Sequence, residues 1–412
     1  MVKNKVFSSS VLIVLLIACV VFSMQLFGCA SRTTGGGSAV TDTSASADAS
    51  VSADNTSPPL VDDWVLPVVV SITGNLSDSE LAAAWGFDYG VKTVNEQGGI
   101  RGIPVLTTVR DAASDDSKVS SEFGNVAADA LIVVGPPTES LYYAGENAFF
   151  GAGMPSIGAA TDETRRATLQ PFAISCISDP GSAAGSAAAA WMDAEKFSSV
   201  CVFFSPSTQE RTDYFDQALA SGGKQIAEKI PLGNEAFDAA AIAEKAIASG
   251  ADAYYLDTNI ENALRIITQL KFQTNGSGAK ILLGPLVASS DIPGADTEGV
   301  LTGTRVWASF DPGKDTEKRG AFNDAFAKNI GDESKYDTSV DYYQAAVMLK
   351  QAIDKLGLTG APDKLASERE LLAGYLYNSD TFTTVLGDFK IESGSKHLLA
   401  NLYTVTANGF QS

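Results

Sequence analysis

The chain is poor in the residues on which proton transfer and metal binding usually depend. Histidine occurs once in 412 residues, as His397 near the C-terminus in Gly-Ser-Lys-His-Leu. Acid–base chemistry built on several histidines is therefore excluded, and with it most zinc sites. Serine hydrolysis of the triad type would need His397 beside a nucleophile, and no Gly-x-Ser-x-Gly elbow occurs. No Gly-x-Gly-x-x-Gly segment follows a strand-like run, so a dinucleotide site lacks support. Cysteine is nearly as scarce, with four residues and no ligand-spaced cluster. Cys176 and Cys201 each lie inside an apolar run, and either a disulfide or two buried thiols fits them. Basic residues are in deficit, 29 against 49 acidic, for a net charge of −20. A nucleic-acid footprint is basic, so nucleic acid is excluded as partner, and broad contact with anionic lipid is disfavoured. The chain is read as a non-enzyme that needs no cofactor and no metal.

What is present begins with an export pattern. Lys3 and Lys5 precede an apolar run, Val11-Leu-Ile-Val-Leu-Leu-Ile-Ala-Cys-Val-Val21, extending to Met24. A basic end followed by a short greasy core is the layout of a signal peptide. An uncleaved anchor is the alternative, because the run approaches the ~20 residues that span a bilayer. Leu26-Phe27-Gly28-Cys29 resembles the bacterial lipobox, which implies removal of residues 1–28 and acylation of Cys29 with diacylglycerol and a further chain such as palmitate. Several acyl chains hold a protein at a membrane stably where one is marginal. Loss of Lys3 and Lys5 leaves 27 basic and 49 acidic residues, a net of −22. Residues 29–63 are dominated by Ser, Thr, Gly, Ala and Asp and end near Pro58-Pro59; too little apolar surface is present to offset chain ordering, so they read as a tether. The protein is expected on the outer side of a bacterial membrane, periplasmic or at the cell surface.

About 350 residues follow, enough for two lobes rather than one core. Strand-like runs alternate with helical ones. Strands are expected at Leu66–Ile72, Val105–Val109, Ala130–Val134, Ser199–Phe204, Ala253–Leu256 and Ile281–Leu283. Between them lie helices opening at Ser77, at Ser117–Ala128, Leu141–Phe150, Gly181–Lys196, Ala239–Ala248 and Ile260–Leu270. Ser77-Asp-Ser-Glu80 has the form of a capping box. The alternation predicts an α/β fold with parallel sheets flanked by helices on both faces. Ligands of such sheets lie beyond the carboxyl ends of the strands. That rule selects Thr73-Gly-Asn-Leu-Ser77, Gly135-Pro-Pro-Thr-Glu-Ser140 and Gly158-Ala-Ala-Thr-Asp162, all rich in small polar residues.

Read in order, these loops resemble those of the periplasmic binding proteins of branched-chain amino-acid ABC transporters. Thr73-Gly74 is similar to the family's opening Thr-Gly, and Asn95-Glu-Gln-Gly-Gly-Ile-Arg-Gly102 to its Asn-to-Gly-Gly-Ile signature. Arg110-Asp111, Gly135-Pro136 and Ala159-Ala-Thr161 follow in the family's order, and the likeness runs from about 65 to 406. It implies a type I two-lobed fold with three interlobe crossovers. Lobe one would comprise 65–178 with 311–388, and lobe two 179–310 with 389–412. It also implies a monomer that closes on a small solute, an amino acid with aliphatic ones foremost, and docks on a membrane permease. A sensory protein engaging a receptor through the same cleft is the alternative, as is a solute that is a non-amino-acid carboxylate or amide.

The resemblance carries site residues too. Thr161 would hold the solute's α-carboxylate and ammonium, with backbone from Ala159 and Ala160. The family's Ser after Gly-Pro falls at Glu139 here, with Ser140 one further on, and Ser79 replaces an aromatic. In the second lobe Ser205-Pro-Ser-Thr-Gln-Glu210 lacks the family's Tyr-Gly, Asn259 stands at the place of a frequent contact tyrosine, and Leu286 replaces an ammonium-binding Glu after Gly284-Pro285. Glu139, Asp162 or Asp257 would then have to pair with an ammonium. Asp111 and Asp115-Asp116 read as solvated or capping, and Gly98-Gly99 as a helix C-cap that touches no ligand. Val340, Tyr343 and Val347, an i, i+3, i+7 set, should face the first sheet.

Overall fold

The computed structural model describes residues 61–233, 237–275 and 278–412. The signal segment, Cys29 and nearly all of the 29–63 tether lie outside them. Strands β1 (Trp64–Val70), β2 (Val105–Asp111), β3 (Val133–Val134), β4 (Ser156–Gly158) and β5 (Ala173–Ser175) form a five-stranded parallel sheet in the order β2-β1-β3-β4-β5. Strands β6 (Ser199–Phe204), β7 (Gln225–Pro231), β8 (Ala253–Asp257), β9 (Ile281–Leu283) and β10 (Arg305–Ala308) build a second sheet. A hairpin of β11 (Phe389–Glu392) and β12 (Ser395–Leu398) stands apart, and β13 (Asn401–Thr406) and β14 (Gly409–Gln411) complete the second sheet in the order β14-β13-β10-β9-β8-β6-β7. Strands β6 to β10 are mutually parallel, whereas β13 runs antiparallel to β10.

Apolar runs rich in β-branched or aromatic residues explain the strands. In β1 six of seven residues are buried and in β8 all five, as expected where helices cover both faces of a parallel sheet. The helix Tyr336–Leu356 closes the first core. Tyr343 and Val347 are buried and Val340 is half-buried, but the set meets the helix Ser77–Glu96 more than the sheet. Gly86 and Gly90 allow that approach, since a Cβ on Gly90 would lie 2.7 Å from the Tyr343 carbonyl oxygen. Helix axes this close need small residues at the contact.

Two local expectations are corrected and one open choice is decided. Ser77 and Glu80 form no capping box: the Ser77 hydroxyl donates to the Gly74 carbonyl (2.8 Å), while buried Glu80 accepts from the Ser71 N–H (2.5 Å). Gly74, at φ +95°, turns the chain so that Glu80 reaches the end of β1 instead of its own helix start. The helix expected over 141–150 is two, Glu139–Ala144 and Glu146–Gly151. Between them Gly145 abuts the Phe123 ring, where a Cβ would fall 2.7 Å from Cδ1. Of the two readings for cysteine, buried thiols hold: Cys176 and Cys201 are both free, in separate cores, and burial raises each pKa to about 12.

The family-type signature has a structural explanation. Asn95 clamps the start of β2 by accepting from the Val105 N–H (2.8 Å) and donating to its carbonyl (2.9 Å). Gly98 and Gly99, at φ +92° and +75°, end the helix and turn the chain toward that strand. Asp111 likewise binds a loop, accepting from the N–H groups of Ile72, Thr73 and Ala113 and from the Thr73 hydroxyl (2.7 Å). Asp115 caps the helix Asp116–Val126.

The chain passes between the two cores at 176–179, at 309–311 and after Leu398. These passages are tied together. Ser178 donates to Asp341 through both its N–H (3.0 Å) and its hydroxyl (2.7 Å). Asp341 also takes a hydrogen bond from Lys396 (2.6 Å), which reaches Gln344 Oε1 (2.5 Å) as well. Gln344 in turn donates to the Gly387 carbonyl (3.1 Å), and the Asp388 N–H donates to the Ser309 carbonyl (2.5 Å). Phe389 and Ile391 pack in the core that holds β1.

Candidate functional site

Two rims of loops face one another at the carboxyl ends of the strands. On the first-lobe rim Thr161 is exposed and its hydroxyl donates to Glu139, joining residues 22 apart in sequence. Ala159 and Ala160 are buried behind it. The loop is held from below by buried Arg166, whose Nη1 donates to the Ala160 (2.6 Å) and Thr161 (3.3 Å) carbonyls and whose Nε donates to Ser393 O (3.1 Å). Asp162 is the cap of the helix Glu163–Thr168, accepting from the Arg165 N–H at 2.9 Å. Its carboxylate is therefore spent locally. Ser140 is exposed beside Glu139, and Ser79 turns its hydroxyl to the Leu76 carbonyl (2.9 Å).

The second-lobe rim centres on Arg211, which follows β6 and precedes the helix Thr212–Ser221. That helix is fixed by Phe215, stacked on Tyr255 of β8 with ring centroids 4.8 Å apart. Arg211 is 15% exposed and makes a two-pronged contact, Nη2 donating at 2.7 and 2.8 Å and Nε at 3.2 Å, with Asp337, the second residue of the helix Tyr336–Leu356 in the first lobe. Behind it, at 3.9 Å, lies the carboxylate of Asp257 at the end of β8. Asp257 Oδ1 is buried without a hydrogen-bond partner. Burial raises the Asp257 pKa to about 6, outweighing the pull of Arg211. Burial alone would lower the Arg211 pKa, but Asp337 and Asp257 overcome it and raise it, so the guanidinium is charged throughout.

A cavity of about 850 Å³ is lined from one rim by Thr161 and from the other by Arg211, with Ser178, Tyr214, Asp337 and His397 at its walls. A second space of about 480 Å³ holds Asn259 and Leu286 against Asn323, Phe326 and Tyr336, again with Arg211 at its edge. Both are of the size that small-molecule clefts have. Asn259 is partly committed, capping the helix Ile260–Gln273 by accepting from the Asn262 N–H (3.0 Å). Leu286 presents an apolar surface beside Trp307, Tyr336 and Val340 in a smaller recess of about 80 Å³. His397 is exposed, whereas its neighbour Lys396 is buried.

Sequence reasoning selected Thr161 and Glu139, which the fold brings together, and Asn259 and Leu286, which share a wall. It missed Arg211 and Asp337. Arg211 directly follows the segment 205–210 where the family's Tyr-Gly is lacking, which was the one signal available. Among the described residues no group of three His, Cys, Asp or Glu side chains is gathered as metal ligands, and no helix is long and apolar enough to cross a membrane.

Two lobes built on largely parallel sheets and joined by three crossovers, with polar loops facing a shared cleft, define a two-lobed solute-binding fold. The family model described as periplasmic binding protein matches residues 64–411, and the chain belongs to that family, one of binding proteins rather than catalysts. A crystal structure from Rhodospirillum rubrum, assigned as a branched-chain amino acid ABC transporter, superimposes with a TM-score of 0.57 at 19% identity, covering 85% of this chain and 99% of that one. An ABC transporter substrate-binding protein from Sphaerobacter thermophilus gives 0.50 at 15% identity, covering 84% and 94%. At these identities the likeness is one of fold. A search of curated protein sequences finds no match.

Proposed function

We propose that this chain is a membrane-anchored solute-binding protein that captures a small amino acid, aliphatic ones foremost, in its interlobe cleft and delivers it to an ABC permease. The observation that carries this reading is the placement of Thr161 and Arg211, from opposite rims, on one cavity of about 850 Å³. Thr161 with Glu139, Ala159 and Ala160 form the first-lobe contacts, and Asn259 and Leu286 the second-lobe wall. Ser140, Ser79 and Asp162 are peripheral, and Asp257 acts through Arg211. The lobes are residues 61–178 with 311–398, and 179–310 with 399–412, the hairpin being assigned to the first because Phe389 and Ile391 lie in its core. The protein works as a monomer. Cys29 is its acylated first residue, so mass spectrometry of the membrane fraction finds a lipid-modified peptide beginning there; a C29S protein equally membrane-bound after signal cleavage contradicts the anchor.

The function is tested by a thermal-shift screen of the purified protein against amino acids, short-chain acids, amides, nucleosides and sugars, with calorimetry on each hit. Saturable binding of amino acids is expected, weakened by about 0.5–3 kcal/mol in Thr161→Ala. Binding only to sugars or nucleosides, with that variant unaffected, contradicts the proposal.

A further inference from the structure

The two rims carry charges opposite to those that the family resemblance implies. In the first lobe the Thr161 hydroxyl spends its proton on Glu139, so a carboxylate stands beside the hydroxyl expected to hold the solute's own carboxylate. In the second lobe Leu286 occupies the place of an ammonium-binding acid, and Arg211 brings a guanidinium to the same cleft. Like charges brought together out of water are costly, and opposite ones attract. A zwitterion therefore fits with its ammonium toward Glu139 and its carboxylate toward Arg211.

We propose that Arg211 is the solute-carboxylate anchor of the cleft, that Glu139 with Thr161 receives the ammonium, and that Asp337 occupies the carboxylate's place when no solute is bound. The inference rests on the amino-acid reading above and assigns the orientation of the solute. Arg211 is a built site, fixed by the neighbouring helix and backed by buried Asp257 at 3.9 Å. That distance is too long for a hydrogen bond, so Asp257 supplies charge balance without occupying the guanidinium's donors. Nε and Nη2 donate instead to Asp337, which belongs to the other lobe and is 40% exposed. When the lobes part, Arg211 loses this partner and is left with unpaired donors facing the cavity. A solute carboxylate reproduces the planar two-oxygen geometry of Asp337, the arrangement a guanidinium fork binds best. Asp337 is thus a competitor for the solute's place, and its removal favours binding.

The test is calorimetry with L-leucine, L-leucinamide and 4-methylpentanoate, which differ by one charged group each. Arg211→Gln should weaken L-leucine and 4-methylpentanoate by about 10- to 100-fold, as loss of a charge-assisted hydrogen bond does, and leave L-leucinamide within about twofold. Glu139→Gln should weaken L-leucine and L-leucinamide and spare 4-methylpentanoate. Asp337→Asn, which keeps the shape of the site and serves where Arg211→Gln fails to fold, should tighten L-leucine several-fold. Equal loss of all probes in Arg211→Gln while circular dichroism reports an intact fold, or weaker L-leucine binding in Asp337→Asn, overturns the inference. L-leucine binding that Arg211→Gln leaves unchanged removes this inference alone. Failure of the wild-type protein to bind any of the three probes removes the amino-acid reading together with it.

Discussion

The Lys396–Asp341 pair at the crossovers and the Arg211–Asp337 pair across the cleft are both cation–carboxylate contacts of about 2.6–2.7 Å, yet water reaches them very differently. The side chains of the first are 1% and 3% exposed; those of the second are 15% and 40%. Lys396 and Asp341 have further partners in Gln344 and Ser178, all within the polar system that ties the passages together. Asp337 has solvent as its alternative. A buried pair held by several partners fixes geometry, whereas a pair half open to water exchanges partners at low cost. The first suits a hinge that must not change its connections. The second suits a contact that a solute replaces.

Breaking the buried pair should have the largest effect. Lys396→Met leaves Asp341 as an unpaired carboxylate in the core, at a cost of about 3–5 kcal/mol in urea denaturation. Adding Asp341→Asn should recover part of that loss, because the stranded charge is gone. If Lys396→Met costs less than about 1 kcal/mol, the two pairs do not differ in kind and the comparison fails.

Asp257 sharpens the contrast through pH. Its pKa in the folded chain, about 6, lies above the ordinary carboxyl value, so the fold binds its proton more tightly than the unfolded chain. Its contribution therefore favours the fold below about pH 4 and is lost as pH rises to about 6. The span corresponds to as much as about 3 kcal/mol. Asp257→Asn should abolish this slope, so that the variant gains on the wild type between pH 4 and 6.5. A difference that stays flat over that range would show that Asp257 is ionised in the fold at low pH.

The cleft pair should matter least for stability. Asp337→Asn is expected to change it by about 0–1 kcal/mol, as partly exposed pairs do. Small-angle scattering of the solute-free protein should nevertheless show a larger radius of gyration, since the contact joins the lobes only when they are together. A stability loss as large as that of Lys396→Met would make this pair structural.

Much of the fold was legible because it is written in short-range pattern. The runs at 199–204 and 281–283 were bounded as they occur, since apolar stretches flanked by turn residues leave few alternatives. The Asn95-to-Gly102 segment was read as a helix end and turn, which it is. The misreadings share a physical cause, a partner distant in sequence. Glu80 fits the local capping pattern, yet the Ser71 N–H nine residues back takes its carboxylate. Lys396 lies in a Gly-Ser-Lys-His stretch that looks solvated, and is buried because Asp341 and Gln344, 55 and 52 residues away, converge on it. Arg211 follows a polar loop, and its partner Asp337 is 126 residues on. Thr161 was selected from the family resemblance, but its bond to Glu139, 22 residues away, needed the fold.

The central claim, that solute is held between the two lobes, is tested most directly by hydrogen–deuterium exchange of the protein with and without a saturating amino acid from the screen. The account predicts simultaneous protection of 135–141 and 159–162 on one rim and of 205–211 and 284–289 on the other, with β7 and β14 unchanged. Protection confined to one rim, or to segments away from both, would contradict it.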